Sequence, residues 1–393
     1  MAEAQKWPVL GAERLEWASR YDGQFSAFSG PSTYSAAVVP VIASRTPQLT
    51  ARVTELSRTA EHELIRFDAG LGDELVGLAP LLLRSESAAS SQIENLTASA
   101  RSILTAEIGD TGRRNAAEIV GNTRAMRSAL ELADDLTPEA VREMHRVLMS
   151  ATNHTPGEWR SEPVWIGADA RSLVGATYVA PRHEYVPALM DDVMAFAARQ
   201  DLPVLAQVAI AHAQFETIHP FTDGNGRTGR ALVQSMLRAK GLTRDVVVPI
   251  SAGLLVDVAA YHDALTSYRA GDVEPIVEQF ARAAVDAIIN ARQLVDALRV
   301  VRQSWSEILN ARSGSQLAKL LPFVVQRPVF TASEAAAYLD IAPSNAYPLI
   351  KRLVALGIAQ QKSEHGLGVV VYRSDDVLNL LDQFAERAGR RSV

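Results

Sequence analysis

From Pro47 onward apolar residues return at steps of three and four, or their sums, with Leu49, Val53, Leu56, Leu64 and Phe67 opening the series. Such a chain can bury its apolar stripes only by packing helix against helix, so the expected class is mainly α. Gly70 and Gly72 interrupt the first helix. The pattern predicts further helices over 85–96, 100–108, 114–132, 140–148, 187–199, 203–215 and 227–239, and helical sequence from 256 to 309 broken at Gly271. Thr137-Pro138-Glu139 marks one start, a capping hydroxyl followed by a proline where a first turn tolerates it. One stretch departs from the pattern. Between 155 and 186, Val164-Trp165-Ile166-Gly167 and Thr177-Tyr178-Val179 predict an extended hairpin inside a helical protein. The first 46 residues are mixed, with a turn signal at Gly30-Pro31-Ser32.

The chain has no cysteine, which removes disulfides, zinc–thiolate sites and thiol nucleophiles, and fits a reducing, cytoplasmic setting. The first seven residues lack a secretory pattern and no apolar run reaches membrane-spanning length, so no membrane association is expected. A formal net charge of −6 argues against a whole-protein basic field for nucleic acid, though a local basic face stays open.

A third region begins at Pro322. Helix (331–339), turn, helix (345–356), a strand pair ending in Val369-Val370-Val371-Tyr372 and a last helix (374–384) outline a winged helix-turn-helix within 300–393. Ser344, Asn345, Tyr347, Lys351 and Arg352 fall on or near its second helix, but Asp340, Glu364, Asp375 and Asp376 dilute their charge. DNA binding through 331–373, docking and dimerisation all remain open for this region.

The chemistry concentrates in Ile218-His219-Pro220-Phe221-Thr222-Asp223-Gly224-Asn225-Gly226-Arg227-Thr228-Gly229-Arg230. An apolar helix ends before it and another starts near Arg227. The glycines between them allow backbone N–H groups to converge, and the new helix N-terminus adds partial positive charge, which together make an anion site. Arg227 and Arg230 share one helix face and suit a polyphosphate. His219 can serve as a general base, and Asp223 offers a hard oxygen to Mg²⁺. Base, metal ligand and phosphate cradle within twelve residues point to phosphoryl or nucleotidyl transfer.

This segment resembles the Fic signature, HPFx[D/E]GNGRxxR, at every specified position. The resemblance implies a helical Fic core over 113–293, with an N-terminal helical region over 1–112. It implies that His219 deprotonates a Ser, Thr or Tyr hydroxyl of a target protein, which attacks the α-phosphate of ATP. It further implies that Asp223 holds Mg²⁺ (Mn²⁺ remaining an option), that Gly224, Asn225 and Gly226 form the anion hole, and that Arg227 and Arg230 contact the phosphates. Phe221, after Pro220, would pack inward and fix the loop. The 157–185 hairpin would be a flap against which the target docks. Another phosphate-containing donor, AMP removal, a homodimer, and a DNA-binding regulator with the core as nucleotide sensor stay open as alternatives.

A second motif, Ser90-Ser91-Gln92-Ile93-Glu94-Asn95, resembles the family's inhibitory pattern [S/T]xxxE[G/N]. It implies that an inhibitory helix over about 86–96 sets Glu94 against Arg230, in the place of the γ-phosphate.

Overall fold

The computed structural model describes residues 6–17, 32–72, 75–110, 112–150, 152, 155–167, 176–309, 314–363 and 368–389. The chain opens on an antiparallel hairpin, β1 (Gly11–Trp17) with β2 (Ser32–Val38), in which Gly11 faces Val38 and Trp17 faces Ser32. The hairpin falls within the 46 residues whose pattern is mixed, and the helices of 1–112 begin at Ala51. The half-buried positions of β1 alternate as expected, but they are Glu13 and Leu15, so hydropathy does not reveal the alternation. The turn expected at 30–31 lies outside the described residues.

Five helices follow: α1 (Ala51–Gly70), α2 (Leu75–Ile93), α3 (Ala100–Glu107), α4 (Arg114–Glu131) and α5 (Pro138–Met149). The Thr137 hydroxyl accepts from the Ala140 N–H, as the Thr-Pro-Glu start predicts. Helix α2 begins ten residues before its predicted start. Leu78, Leu81, Leu82 and Leu83 are buried and carry it through Pro80, despite the backbone bond that a proline removes. It ends at Ile93, so Glu94 and Asn95 lie in the following turn and not on the helix expected to reach 96.

The predicted hairpin is present as β3 (Trp165–Ile166) paired with β4 (Tyr178–Val179). Residues 168–175 between them are outside the described set. Beyond it run α6 (Val186–Ala198), α7 (Val204–Ile218), α8 (Asn225–Ala239), α9 (Ile250–Val256), α10 (Val258–Arg269) and α11 (Glu274–Leu309). The 36-residue α11 is the spine on which α1, α7, α9 and α10 pack. The expected boundary between 293 and 300 falls inside it.

The remaining elements are α12 (Gln316–Gln326), β5 (Val329–Thr331), α13 (Ala332–Leu339), α14 (Pro343–Ala355), β6 (Gln360–Ser363), β7 (Val370–Arg373) and α15 (Asp375–Arg387). Their sheet has the order β5-β7-β6. Pro322, expected to open this region, sits inside α12. Glu364 and the glycine turn after it lie outside the described residues. A capping box of Thr331 and Glu334 starts α13, and Asp340 ends it in a left-handed conformation.

One apolar cluster runs from Trp7 to Ala388. Arg84 of α2 forks onto Glu107 at 2.7 and 2.8 Å and donates to the Gln326 carbonyl at 3.0 Å. Asp382 of α15 accepts from the Ala100 N–H at the start of α3. The C-terminal elements therefore grip α2 directly. Among the described residues no helix is long and apolar enough to cross a membrane.

Candidate active site

Helix α7 is buried from Leu205 to Ile218 and stops at His219, whose φ of 51° is left-handed. Its N–H still bonds the Phe215 carbonyl at 2.9 Å, and Pro220 turns the chain away. Phe221 is fully buried and stacks on His145 of α5, with centroids 3.7 Å apart and planes 7° apart. The Asn225 side chain closes the loop on itself: Oδ1 accepts from the Phe221 N–H and Nδ2 donates to its carbonyl, both at 2.9 Å. Gly224 caps α8 with φ 75°, and a Cβ there would press on Met149 Sδ at 3.0 Å.

The first amides of α8 have no partner within the helix. Gly224, Asn225, Gly226 and Arg227 line a polar cavity of about 430 Å³, and His219, Asp223, Glu94 and Glu118 line its other sides. Of the residues that the loop motif singled out, the cavity thus gathers His219, Asp223, Gly224, Asn225, Gly226 and Arg227, while Pro220, Phe221 and Arg230 are not in its lining. Arg227 is buried, with Glu118 at 3.7 Å and Asp223 at 3.8 Å. Among the described residues no three His, Asp or Glu side chains are grouped to hold a metal by themselves. The half-exposed Asp223 carboxylate in this cavity suits an ion that takes most of its oxygens from a nucleotide, as Mg²⁺ does.

Arg230 lies deeper, 2% exposed. Its Nε donates to the Ser90 hydroxyl at 2.9 Å, and Nη2 donates to the Ser90 carbonyl and to Glu94 Oε1, both at 2.7 Å. Burial alone would lower the proton affinity of this guanidinium, but Glu94, Tyr261 and Glu216 together more than restore it. Burial is the largest influence on Glu94 and opposes its ionisation, yet the charge and hydrogen bond of Arg230, joined by Arg227 and His219, together hold the carboxyl below its usual range. Asn95 takes φ 61°, a turn that asparagine and glycine tolerate best. A Cβ at Gly226 would overlap Glu94 Oε1 and crowd Arg230 Nη1 at 2.9 Å. Glu94 therefore fits only because residue 226 is glycine.

Glu86, Ser90 and Glu94 are spaced by four, one line along α2 and its exit. Glu86 is buried and bonded by the Ser251 N–H (2.8 Å), the Ser251 hydroxyl (2.6 Å) and Gln234 (3.0 Å). Desolvation outweighs these bonds and pushes its carboxyl up to about 7. On the neighbouring side Asn122 of α4 donates to the Ser87 carbonyl and the Ser91 hydroxyl. These contacts hold α2 in the register that delivers Glu94 to Arg230.

Three supporting residues carry no signal of a role at the site in the sequence, although Tyr178 belongs to the predicted hairpin. Arg160, 3% exposed, donates to the carbonyls of His219 at 2.8 Å and Glu162 at 3.1 Å, and its own N–H bonds the Pro220 carbonyl. His145 accepts from the Gly157 N–H at Nδ1, so its Nε2 carries the proton donated to the Asp223 carbonyl at 3.1 Å. The Tyr178 hydroxyl donates to the Thr217 carbonyl. Hairpin base and motif loop are thereby one unit. The only available hint was composition: a buried Arg, His or Tyr is worth asking about, but its partners are distant in sequence.

Burial, and secondarily Arg160, depress the His219 imidazole to about 4, while the Glu216 carbonyl pulls weakly the other way without reaching hydrogen-bond geometry. The ring is neutral at physiological pH and ready to accept a proton. Since the folded value lies below the unfolded one, the unfolded chain takes up the proton first on acidification. The stability linked to neutral His219 is full above pH 6.5 and is lost as pH falls from 6.5 through about 4. His219→Gln should flatten the acid-side loss of stability by up to about 3 kcal/mol, read as urea midpoints across that window. An unchanged slope would rule this ionisation out as a contributor.

Residues 135–237 match the model of the Fic/DOC family. The chain is 30% identical over 153 residues to protein adenylyltransferase fic-1 of Caenorhabditis elegans, covering 38% of this chain and 27% of that protein. It is 26% identical over 173 residues to protein adenylyltransferase Fic of Nematostella vectensis, covering 42% of this chain and 37% of the relative. The chain thus spans well under half the length of these curated relatives. A solved Fic family protein from Desulfovibrio desulfuricans superposes with TM-score 0.51 at 20% identity, over 84% of this chain and 98% of that one, which establishes the shared fold. By these matches, residues 135–237 form a segment of the Fic/DOC type.

Proposed function

We propose that this chain transfers AMP from ATP to a Ser, Thr or Tyr hydroxyl of a target protein, or of itself, and that Glu94 restrains the reaction. The observation that carries the reading is the polar cavity in which His219 faces the open N-terminus of α8. With Nδ1 buried, Nε2 is the ring nitrogen left toward that cavity. It takes the hydroxyl proton while the new O–P bond forms at the α-phosphorus and the bond to pyrophosphate breaks. The amides at 224–226 and the Arg227 guanidinium meet charge developing on the phosphates. Asp223 would hold Mg²⁺ or Mn²⁺, whose charge would offset that of the α- and β-phosphates. An extended target segment along the β3–β4 flap would bring its hydroxyl toward the loop to which Arg160 and Tyr178 tie that flap.

The restraint follows from occupancy. A carboxylate 2.7 Å from Arg230 fills the place of a γ-phosphate, so ATP must either displace it or sit with its α-phosphate out of line. The test is incubation with α-labelled ATP and Mg²⁺. Label on protein, retained after denaturation and absent with His219→Ala, supports the reading. ATP binding without label in any variant would turn it toward another donor.

A second reading concerns α14. Ser344, Asn345, Tyr347, Lys351 and Arg352 are all exposed on it, in a unit whose sheet order β5-β7-β6 suits a winged helix. We propose DNA contact there as a separate function. Retention of a mixed-sequence duplex at low salt should weaken with Lys351→Ala/Arg352→Ala. Equal retention by the double variant would remove α14 from consideration.

A further inference from the structure

Two buried polar atoms behind the reacting imidazole have no hydrogen-bond partner among the described residues: Nδ1 of His219 and Oε1 of Glu216. They belong to neighbours, for the other carboxyl oxygen, Oε2, lies 3.9 Å from that Nδ1. Glu216 is in the last turn of α7, and the left-handed φ at His219 swings the ring back over it. Space around it is closed. Glu216 is 6% exposed, and a Cβ at Gly229 of α8 would meet Oε1 at 2.8 Å and Phe215 Cδ1 at 2.9 Å. A carboxyl buried so completely with an unused oxygen is costly, and natural cores seldom leave one without a role.

Ionisable groups surround this pair on every side. His212 lies one turn back on α7, Arg230 is on α8, Glu94 follows α2, Tyr261 and Arg269 belong to α10, and Arg160 faces His219 from the flap base. Burial pushes the Glu216 carboxyl up to about 7, with Arg230 drawing it down and Glu94 adding to the rise.

We propose that Glu216 is the positioning residue that sets the tautomer of His219. As a carboxylate it accepts the Nδ1–H, which leaves the lone pair on Nε2, toward the cavity. That nitrogen can then take the hydroxyl proton, and the resulting imidazolium keeps its second N–H on the carboxylate. As a neutral acid, Glu216 offers its own O–H to Nδ1. The ring proton then sits on Nε2, and the base is lost to the cavity. The catalytic consequence rests on the AMP-transfer reading, whereas the tautomer assignment does not.

The test uses the full chain with histidine labelled in its ring nitrogens, His219 being assigned through His219→Ala. At mildly alkaline pH the wild type should show Nδ1 protonated and Nε2 bare, and Glu216→Gln should lose that preference while keeping a cooperative melt. In the Glu94→Gly background, Glu216→Gln should lower the labelling kcat by about 10-fold or more with KM for ATP unchanged. It should also erase the rise in rate through about pH 7 that the Glu216 carboxyl imposes. The same tautomer in wild type and a folded Glu216→Gln would overturn the proposal. Absence of labelling in every variant, with the tautomer difference present, would instead count against AMP transfer and leave the role of Glu216 standing.

Discussion

Glu94→Gly should raise incorporation of label from α-labelled ATP about 100-fold, equivalent to roughly 3 kcal/mol of barrier, and His219→Ala on top of it should return incorporation to background. The argument begins with what Glu94 holds. It is the carboxylate on Arg230, a buried guanidinium that also donates twice to Ser90. Removing it leaves that cation in a pocket beside the α8 N-terminus, where the terminal phosphate of a nucleotide is the natural replacement. Correct seating of that phosphate aligns the α-phosphorus with the attacking oxygen, and such alignment is worth several kcal/mol. Glycine at 94 also suits the turn, since the next residue already has φ 61°. The double variant separates the two claims. Label that persisted without His219 would mean that another group is the base, while no gain with Glu94→Gly would mean that the ion pair does not restrain turnover.

The second large effect concerns the frame. Gly253 of α9 lies against the backbone of Ala283 in α11, so closely that a Cβ would overlap the Ala283 carbonyl oxygen and meet its C and Cα at 2.6 Å. Backbone in a 36-residue helix cannot step aside as a side-chain tip can. Gly253→Ala should therefore destabilise the protein by about 3 kcal/mol, seen as a lower denaturant midpoint with an unchanged slope. The sign is the discriminating feature. At an open helical position the same change would stabilise by up to about 1 kcal/mol. A gain in stability would show that α9 and α11 do not cross this closely in solution. The crossing also bears on the site, because Ser251 on the same short helix anchors Glu86.

The legible parts of this molecule are those written in consecutive residues. Thr137-Pro138 starts α5 through a local hydroxyl–amide bond, and the 219–230 loop carries its turn, cradle and charges in one run. The Glu94–Arg230 contact was readable only by resemblance, since the partners are 136 positions apart. Errors arose where burial overrode local preference. The sequence pattern starts the second helix only at 85 and opens the last region at Pro322, yet packed leucines on α2 carry it through Pro80, and buried Leu320, Leu321 and Phe323 carry α12 through Pro322. The first hairpin was missed because a glutamate occupies its inner face. Arg160, His145 and Glu216 acquire meaning only when the flap base, α5 and α7 meet the loop, and no spacing along the chain encodes that meeting.

Gly226 has a consequence for how such a chain can change over evolutionary time. On the proposed AMP-transfer reading, phosphate cradle and restraint share that single position, because any side chain there evicts Glu94 and also narrows the ligand's approach. Drift at 226 therefore cannot release the enzyme by a neutral route. Drift at 94 can, since it empties the Arg230 pocket and leaves the cradle whole. Descendants of this sequence should lose their regulation far more readily than they exchange their substrate.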